Sequence, residues 1–207
     1  MTKRNAAIVL FSQMPFGAEL IMSNRKMFRY EWCWAKGHPQ GFLNAKKMPL
    51  RIHENILVFY QQLPTYNPQF AKAKPYCHRN FVDESSNHVY GNHKVITYSE
   101  HDGKRYPVDI INFSQPVAVY FGKKSGEVVH PTQKPVALLE YLIRTYSNEG
   151  ELILDATMGS GSTGVAAINE NRRFIGFETE QKFYEIARKR IDEAIAKREQ
   201  SLFKLEA

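Results

Sequence analysis

The sequence predicts an α/β fold in which helices pack against a doubly wound sheet. Short apolar runs typical of strands alternate with segments whose apolar residues recur at helical spacing. A glycine-rich turn joins one of these strands to the helix that follows it. The 207 residues, 43% of them hydrophobic, are enough for one domain with a sizeable core and an appended segment.

The first part of the chain, residues 1–63, is predicted to form the opening elements of this domain. Pro15 marks the start of a helix, because proline fits the first helical turn. Trp32 and Trp34 lie two residues apart and therefore share one face of a strand, which we expect to be buried. The predicted strands are residues 6–11, 30–34 and 56–60, and the predicted helix is residues 16–22.

Residues 64–107 differ because aromatic side chains are scattered among polar ones with no sustained periodicity. Such a segment cannot bury a large core of its own, so we expect a small insert that packs on the sheet domain. A zinc site is an open alternative, although the spacings match no standard finger, and we expect no metal. The aromatic residues are Tyr66, Phe70, Tyr76, Phe81, Tyr90 and Tyr98, and the metal-type residues are Cys77, His78, His88, His93 and His101.

The last part, residues 108–207, is predicted to hold the remaining strands and helices. Pro135 begins a helix, and a glycine turn begins the next one. Apolar residues at Phe183, Ile186, Ala187 and Ile191 continue to Ala194 and Ile195 at helical spacing, which predicts a packed face with a charged outer face. The predicted helices are residues 135–146, 161–169 and 181–200, and the predicted strands are 152–155 and 174–177.

The glycine turn has the spacing of a nucleotide-type cofactor site. Gly159, Gly161 and Gly164 form a G-x-G-x-x-G pattern, and Glu178 follows Gly159 by 19 residues. An acidic residue at that distance can accept hydrogen bonds from ribose hydroxyls. The pattern alone leaves a nicotinamide-dependent oxidoreductase open as one interpretation.

Asp155 favours a different cofactor. It lies at the carboxyl end of an apolar strand, just ahead of the turn, where a carboxylate would repel a pyrophosphate. The same charge would attract a cofactor with a cationic end, and S-adenosylmethionine carries an ammonium and a sulfonium group. Helix capping by Asp155 and a surface position for Glu178 are the structural alternative.

The segment from residue 130 to 191 resembles the carboxyl-terminal part of the DNA amino-methyltransferases, which methylate the exocyclic amine of adenine or cytosine. Asp155-Ala-Thr-Met-Gly-Ser-Gly-Ser-Thr-Gly164 is similar to their cofactor loop, D-P-F-x-G-S-G-T-T, with Ala156 in place of proline and Ser162 in place of threonine. His130-Pro-Thr-Gln-Lys-Pro135 resembles the motif that opens a helix over the methionine end of the cofactor. The cofactor loop comes last, as in the group called the β class.

Earlier segments extend the resemblance over nearly the whole chain, most weakly from 65 to 105. It implies a Rossmann-like methyltransferase sheet, a target-recognition insert at 64–107, and S-adenosylmethionine as cofactor. The cofactor-binding residues that it implies, together with the reasoning above, are His130, Pro131, Thr132, Gln133, Lys134, Pro135, Asp155, Ala156, Met158, Gly159, Ser160, Gly161, Ser162, Thr163 and Glu178.

The catalytic motif of that family is absent from the sequence. The motif, [D/N/S]-P-P-[Y/F], lies upstream of the segment that resembles residues 6–11, and no such tetrapeptide occurs in the 207 residues. In the family its polar side chain and a backbone carbonyl accept hydrogen bonds from the target amine, and its aromatic ring stacks on the extruded base. The nearest string, Gln13-Met-Pro-Phe16, is interpreted as the start of a helix. We therefore expect the catalytic residues to be missing, along with two strands that usually precede this point.

The charge distribution indicates a nucleic-acid partner. The formal net charge is +7, and residues 24–51 carry many basic residues against one acid, Glu31. Gly37, Pro39, Gly41 and Pro49 predict loops there, and interleaved aromatic residues favour a surface that contacts double-stranded DNA over a merely solvated face. The proposed DNA-binding residues are Arg25, Lys36, Lys46, Lys47 and Arg51.

Two classes of function compete. One is a DNA methyltransferase acting on adenine N6, with cytosine N4 as the alternative target. The other is a catalytically inactive fragment that keeps cofactor and DNA binding, either as a homodimer or with a partner chain that supplies the missing region. Two cysteines without redox spacing, and no apolar run long enough for a membrane span, favour the cytoplasm of a bacterium or of one carrying phage genes.

Overall fold

The computed structural model describes residues 3–79, 98–115 and 133–203. The chain divides into two compact units, one of Met1–Asn67 with Val108–Ala207 and one of Pro68–Pro107. The described elements are, in chain order, β1 (Ile8–Ser12), α1 (Phe16–Ser23), β2 (Phe28–Gln40), a 3-10 helix (Phe42–Asn44), β3 (Arg51–Phe59), β4 (Ala71–Lys72), β5 (Tyr76–Arg79), β6 (Tyr98–His101), β7 (Lys104–Arg105), β8 (Ile110–Asn112), α2 (Val136–Tyr146), β9 (Leu152–Asp155), α3 (Ser162–Asn169), β10 (Arg173–Gly176) and α4 (Gln181–Phe203). The predicted α/β class is confirmed.

The first unit contains two separate sheets. A four-stranded sheet has the order β1-β3-β2-β8, with antiparallel pairing except between β2 and β8, which are parallel. The second sheet consists of β9 and β10, which run parallel with Asp155 opposite Gly176. Within the described residues, β9 pairs only with β10 and β1 only with β3.

β2 corrects one expectation. The prediction gave a short strand at 30–34 inside a stretch of loops, but the strand runs over 13 residues, Phe28–Gln40. It stays paired with β3 past Gly37 and Pro39 by shifting register between Ala35 and Gln40. Irregular pairing of this kind accommodates glycine and proline in a strand.

Helix α2 packs on both sheets and so connects the two clusters of the hydrophobic core. Leu138 and Leu142 pack with Trp32 and Trp34 of β2, both buried as predicted. One residue further along the helix, Leu139 packs in a second cluster with Ile143, Ala166 and Ala167, which Ile153 of β9 and Phe174 of β10 also contact. Phe11 of β1 packs against both clusters.

Buried aromatic residues hold α2 to the sheet. The Trp32 indole N–H donates to the Tyr146 hydroxyl at 2.7 Å, and the Tyr30 and Tyr146 hydroxyl oxygens lie 2.9 Å apart. Burial raises the pKa of Tyr146 well above its usual value, so this hydroxyl stays protonated and hydrogen-bonded. α1 begins at Phe16 with Pro15 as the preceding cap residue, which confirms the predicted helix start.

The second unit, Pro68–Pro107, contains two small antiparallel pairs, β4 with β7 and β5 with β6. The ring centroids of Phe70 and Tyr106 lie 4.9 Å apart. His88 and His93 lie outside the described residues. No helix in the described part of the chain is both long and apolar enough to cross a bilayer.

Candidate functional site

The glycine turn lies where the two parallel strands β9 and β10 end. Parallel strands end at the same edge of a sheet, so Asp155 and Glu178 lie on either side of the turn. Gly159 and Gly161 have φ angles of +51° and +76°, which favour glycine. A side chain on Gly161 would also lie 2.8 Å from the Cβ of Ala187 in α4. The sequence therefore needs glycine here for both backbone angle and space.

Asp155 is fixed by the turn that follows it. Its Oδ1 accepts the Thr157 backbone N–H at 3.0 Å, and its Oδ2 accepts the Thr163 hydroxyl at 2.6 Å. An ionised carboxylate has about four acceptor positions. Asp155 does not cap α3, whose N-cap residue is Gly161 without a side-chain cap, and it keeps acceptor capacity for a ligand.

Glu178 holds the turn from the other side. Its Oε2 accepts the Gly159 backbone N–H at 2.9 Å, and its Oε1 accepts the Glu180 N–H at 3.0 Å. Both carboxylates are only half-buried, so both can meet a ligand at this edge. Ala156 is exposed on the turn, whereas Met158, Ser160 and Ser162 are buried under it.

Arg190 of α4 is a residue of this site that the sequence analysis missed. Its guanidinium donates to the backbone oxygen of Ser160, to the Ser160 hydroxyl at 3.0 Å and to the Ser162 hydroxyl at 3.2 Å. The charged residues of α4 were predicted to lie on an outer face. Arg190 instead lies three residues after Ala187 and four before Ala194, on the packed face itself. A cation inside an apolar helical stripe was the signal that could have found it.

The segment before α2 reaches the turn through Gln133. The Ser160 hydroxyl donates to the Gln133 side-chain oxygen at 3.3 Å. Pro135 is buried and directly precedes α2, which begins one residue later than predicted. His130, Pro131 and Thr132 lie outside the described residues, so their predicted cofactor contacts remain predictions.

A buried ion cluster connects this segment to the four-stranded sheet. The two oxygens of Glu54 lie 2.9 Å from the Lys36 ammonium and 3.0 Å from the Lys134 ammonium. Lys134 also lies 5.0 Å from the centre of the Phe11 ring. Lys134 was predicted as a cofactor contact, and in this structure its charge is directed at Glu54.

Lys36 does not lie in the exposed loop that was predicted for a DNA contact. It is 3% exposed because it follows Trp32 and Trp34 on the inward face of β2 at strand spacing. Its ammonium also donates to the Gln40 side-chain oxygen at 3.1 Å. The other four predicted DNA-binding residues, Arg25, Lys46, Lys47 and Arg51, are exposed.

The end of β1 lies close to this edge. The Ser12 hydroxyl is buried and has no hydrogen-bond partner among the described residues. The side-chain oxygen of Gln13 accepts a hydrogen bond from Arg51 at 2.9 Å, which ties the start of β3 to the loop after β1. Residues 13–15 lead into α1, and the backbone oxygens of Gln13 and Pro15 accept the N–H groups of Gly17 and Ala18, both at 2.9 Å.

Comparison with solved structures identifies proteins of similar fold. The crystal structure titled as the M1.HpyAVI–SAM complex superposes with a TM-score of 0.59 at 24% sequence identity, over 91% of this chain and 76% of that one. A similarity at this level of identity shows the fold. The Rossmann-like methyltransferase architecture predicted from the sequence is confirmed.

Sequence comparison identifies relatives that are DNA methyltransferases. The chain is 40% identical over 187 residues to the DNA adenine methyltransferase YhdJ of Escherichia coli K12, covering 87% of this chain and 58% of YhdJ. It is 52% identical over 63 residues to the type II methyltransferase M2.DpnII of Streptococcus pneumoniae, covering 30% of this chain and 24% of that protein. The chain therefore spans less than two thirds of the length of these relatives.

The family described as DNA methylase, with N6 and N4 members, matches residues 2–189. This match includes the glycine turn with its two carboxylates, the helix α2 and the four-stranded sheet. Because this match covers most of the chain, the chain belongs to the family of N6- and N4-specific DNA methylases.

Proposed function

We propose that this chain binds S-adenosylmethionine at the glycine turn and serves in the methylation of adenine N6 in DNA. The observation that carries the proposal is the pair of carboxylates, Asp155 and Glu178, held by hydrogen bonds on either side of one turn. Support comes from the names of similar proteins: YhdJ is a DNA adenine methyltransferase, and M1.HpyAVI was crystallised with SAM.

The residues around the turn fit this cofactor in charge and shape. Asp155 places a negative charge where the ammonium and sulfonium groups would be attracted, and Glu178 can accept from ribose hydroxyls. Gln133, together with Thr132, would contact the amino-acid end. When bound, the cofactor supplies an electrophilic methyl group. The protein's part is to position that end and to exclude other ligands by charge.

The DNA surface that we propose centres on the exposed segment 41–50 and the residues flanking it. Lys46, Lys47 and Arg51 are exposed and can neutralise phosphates. Phe42 and Leu43, also exposed at 67% and 101%, offer apolar contact to bases. We further propose that the unit Pro68–Pro107 takes part in target recognition. Lys36 is left out of this surface because of its burial.

We propose that the role of orienting the target amine is not filled by the described residues, because the sequence lacks the [D/N/S]-P-P-[Y/F] motif. Base extrusion exposes a poorly nucleophilic amine, and its alignment with the methyl group must come from fixed acceptors. Gln13, the nearest candidate at this edge, accepts from Arg51 instead. We propose that the chain holds the cofactor and DNA surfaces, and that methyl transfer requires an amine-binding loop from outside the 207 residues.

Calorimetric titration with S-adenosylmethionine tests the cofactor assignment. Asp155→Asn keeps the size and the acceptor oxygen but removes the charge, and we expect a loss of about 1.5–3 kcal/mol, roughly tenfold to a hundredfold in affinity. Glu178→Gln should cost less, since Glu178 meets neutral hydroxyls. Glu193→Gln, on the exposed side of α4, is the matched control.

Two results would contradict the assignment. One is an Asp155→Asn variant, folded by circular dichroism, that binds with unchanged affinity. The other is competition by NAD at comparable concentration, which would restore the oxidoreductase interpretation.

A further inference from the structure

The segment between β2 and β3 lies at the same edge of the first unit as the glycine turn. Glu54 of β3 forms an ion pair with Lys134 at 3.0 Å. Gln133, one residue earlier in the chain, accepts the hydroxyl of Ser160 in the turn at 3.3 Å. Because β3 begins three residues before Glu54, the segment 41–50 extends from the sheet on the side that holds the proposed cofactor site.

Two consecutive turns give the beginning of this segment a defined shape. Gly41 has a φ of +91° and turns the chain out of β2. The Asn44 N–H then donates to the carbonyl of Gly41 at 2.9 Å, and the Lys47 N–H donates to the carbonyl of Asn44 at 2.8 Å. These local hydrogen bonds fix the backbone around Phe42 and Leu43, which together form the apolar tip.

The side chains of the apolar tip are directed into solvent. At 101%, Leu43 is the most exposed large apolar side chain in the described ranges, and the Phe42 ring beside it is exposed as well. Most apolar side chains of this size lie inside a folded protein, and exposed ones are ordinary where they occur singly. Two neighbouring side chains of this kind on one tip therefore indicate a surface that a ligand covers.

The charges around the apolar tip favour a polyanion as this ligand. Between Glu31 and Glu54 the sequence contains no acidic residue, and Lys46 and Lys47 are exposed on the segment itself. Phosphate groups would be attracted by these cations but offer nothing apolar to the tip. Duplex DNA offers both, because its phosphate backbones enclose a stack of bases between which apolar side chains can insert.

An anionic lipid surface also combines negative charge with an apolar interior, but two observations favour DNA. The tip extends from the edge that holds the glycine turn, which is where a target base must arrive to meet the cofactor. The chain also belongs to a family of DNA methylases. The occupant that fits the tip best is therefore duplex DNA.

We infer that Leu43 enters the base stack of duplex DNA at the target site and occupies the space that the extruded base leaves, while Phe42 stacks on the neighbouring base. The inference rests on the proposed function and adds to it how the chain keeps a base outside the duplex. Extrusion costs less free energy where the stack is already interrupted. A wedge of this kind therefore binds most tightly where the DNA has a gap.

Fluorescence anisotropy with two end-labelled duplexes of one sequence tests the inference without methyl transfer. One duplex is intact, and the other has a single central abasic site, which presents the gap ready-made. At one fixed salt concentration, we expect the full chain to bind the abasic duplex about tenfold more tightly than the intact one. Leu43→Ala should remove most of this preference, while its affinity for the intact duplex stays within about twofold because phosphate contacts supply most of that binding.

Leu63→Ala is the matched control. Leu63 is 76% exposed and follows the opposite end of β3, away from the cofactor edge, so this variant should keep the abasic preference. Lys46→Met should weaken binding to both duplexes by the same factor. It should also lower the slope of log affinity against log salt by about one, since it removes one phosphate contact.

Several outcomes would overturn the inference. An abasic preference that survives in Leu43→Ala, that falls equally in Leu63→Ala, or that is absent although the unaltered chain binds both duplexes would do so and leave the proposed function standing. Failure to bind either duplex would contradict the proposed function, and the inference with it. Binding to phosphatidylserine vesicles that is lost in Leu43→Ala, without an abasic preference on DNA, would assign the tip to a lipid surface instead.

Discussion

Arg190 joins α4 to the glycine turn through hydrogen bonds. Its guanidinium donates to the backbone oxygen of Ser160 and to the hydroxyls of Ser160 and Ser162, so it fixes the part of the turn that leads into α3. A preorganised turn binds a ligand without the free-energy cost of ordering it.

Arg190→Met should therefore weaken S-adenosylmethionine binding by about 1–3 kcal/mol while the fold is retained, since methionine keeps the packing of the aliphatic stem. Calorimetry checks this. Arg188→Met is the control, because Arg188 lies on the same helix with a 71% exposed side chain and pairs loosely with Asp192 at 3.8 Å. Equal losses in the two variants would show that the effect comes from net charge alone.

Glu54 is the counter-charge of buried Lys36 and of partly buried Lys134. Removal of one partner from a buried ion pair leaves an uncompensated charge, which typically costs about 3–5 kcal/mol. Glu54→Gln leaves the ammonium groups of Lys36 and Lys134 without their counter-charge, so we expect a loss of this size in the free energy of unfolding by urea. Asp192→Asn breaks an exposed pair and should change it by less than about 1 kcal/mol. A similar small change for both variants would contradict the role of Glu54.

At the scale of elements, α4 packs closely against Gly161, the residue that precedes α3. An alanine there would adopt a φ of +76° and bring its Cβ to 2.8 Å from Ala187. Gly150 has nearly the same φ, +77°, and a Cβ added there would meet nothing within 4 Å. A substitution at Gly150 therefore measures the cost of the backbone conformation without a steric clash. We expect Gly150→Ala to cost about 1–2 kcal/mol of unfolding free energy, and Gly161→Ala to cost clearly more. Equal losses of unfolding free energy for the two variants, measured by urea denaturation, would show that α4 shifts to accommodate the added methyl group.

The elements that sequence patterns predicted well are those with strong local signals. β9 was predicted with its observed bounds because its apolar run ends at Asp155 and the glycine turn, and α2 was predicted to within one residue from Pro135. β2 was predicted too short because Gly37 and Pro39 interrupt strands locally, whereas pairing with β3 and a register shift carry the strand past them. Tertiary pairing leaves no signature in a local window.

The candidate site divides in the same way. The two carboxylates and the glycines could be predicted because their spacing in sequence reflects a strand, a turn and a second strand. Arg190, the buried position of Lys36 and the unpartnered hydroxyl of Ser12 depend on contacts between elements far apart in sequence. Such contacts become visible only in the folded chain.

At the scale of the whole molecule, the proposed binding surfaces are present in this chain, but the family's amine-orienting motif is not. The surfaces that we propose are formed by the two carboxylates with Arg190, for the cofactor, and by exposed cations, for DNA, whereas no [D/N/S]-P-P-[Y/F] tetrapeptide is present in the sequence. Positioning of reactants can contribute about 7–11 kcal/mol to a bimolecular reaction. The chain alone should therefore bind its ligands and transfer methyl groups poorly or not at all.

Methyl transfer from labelled S-adenosylmethionine to mixed-sequence duplex DNA tests this central claim most directly, with intact YhdJ as the reference enzyme. We predict that the chain alone binds the cofactor in the same buffer yet gives a rate more than about a thousandfold below that of YhdJ, as expected if even part of the positioning term is missing. Any label that does reach DNA should be found as N6-methyladenine. A rate close to that of YhdJ, obtained with the chain alone and lost in Asp155→Asn, would contradict the claim and assign the amine-binding role to residues within these 207.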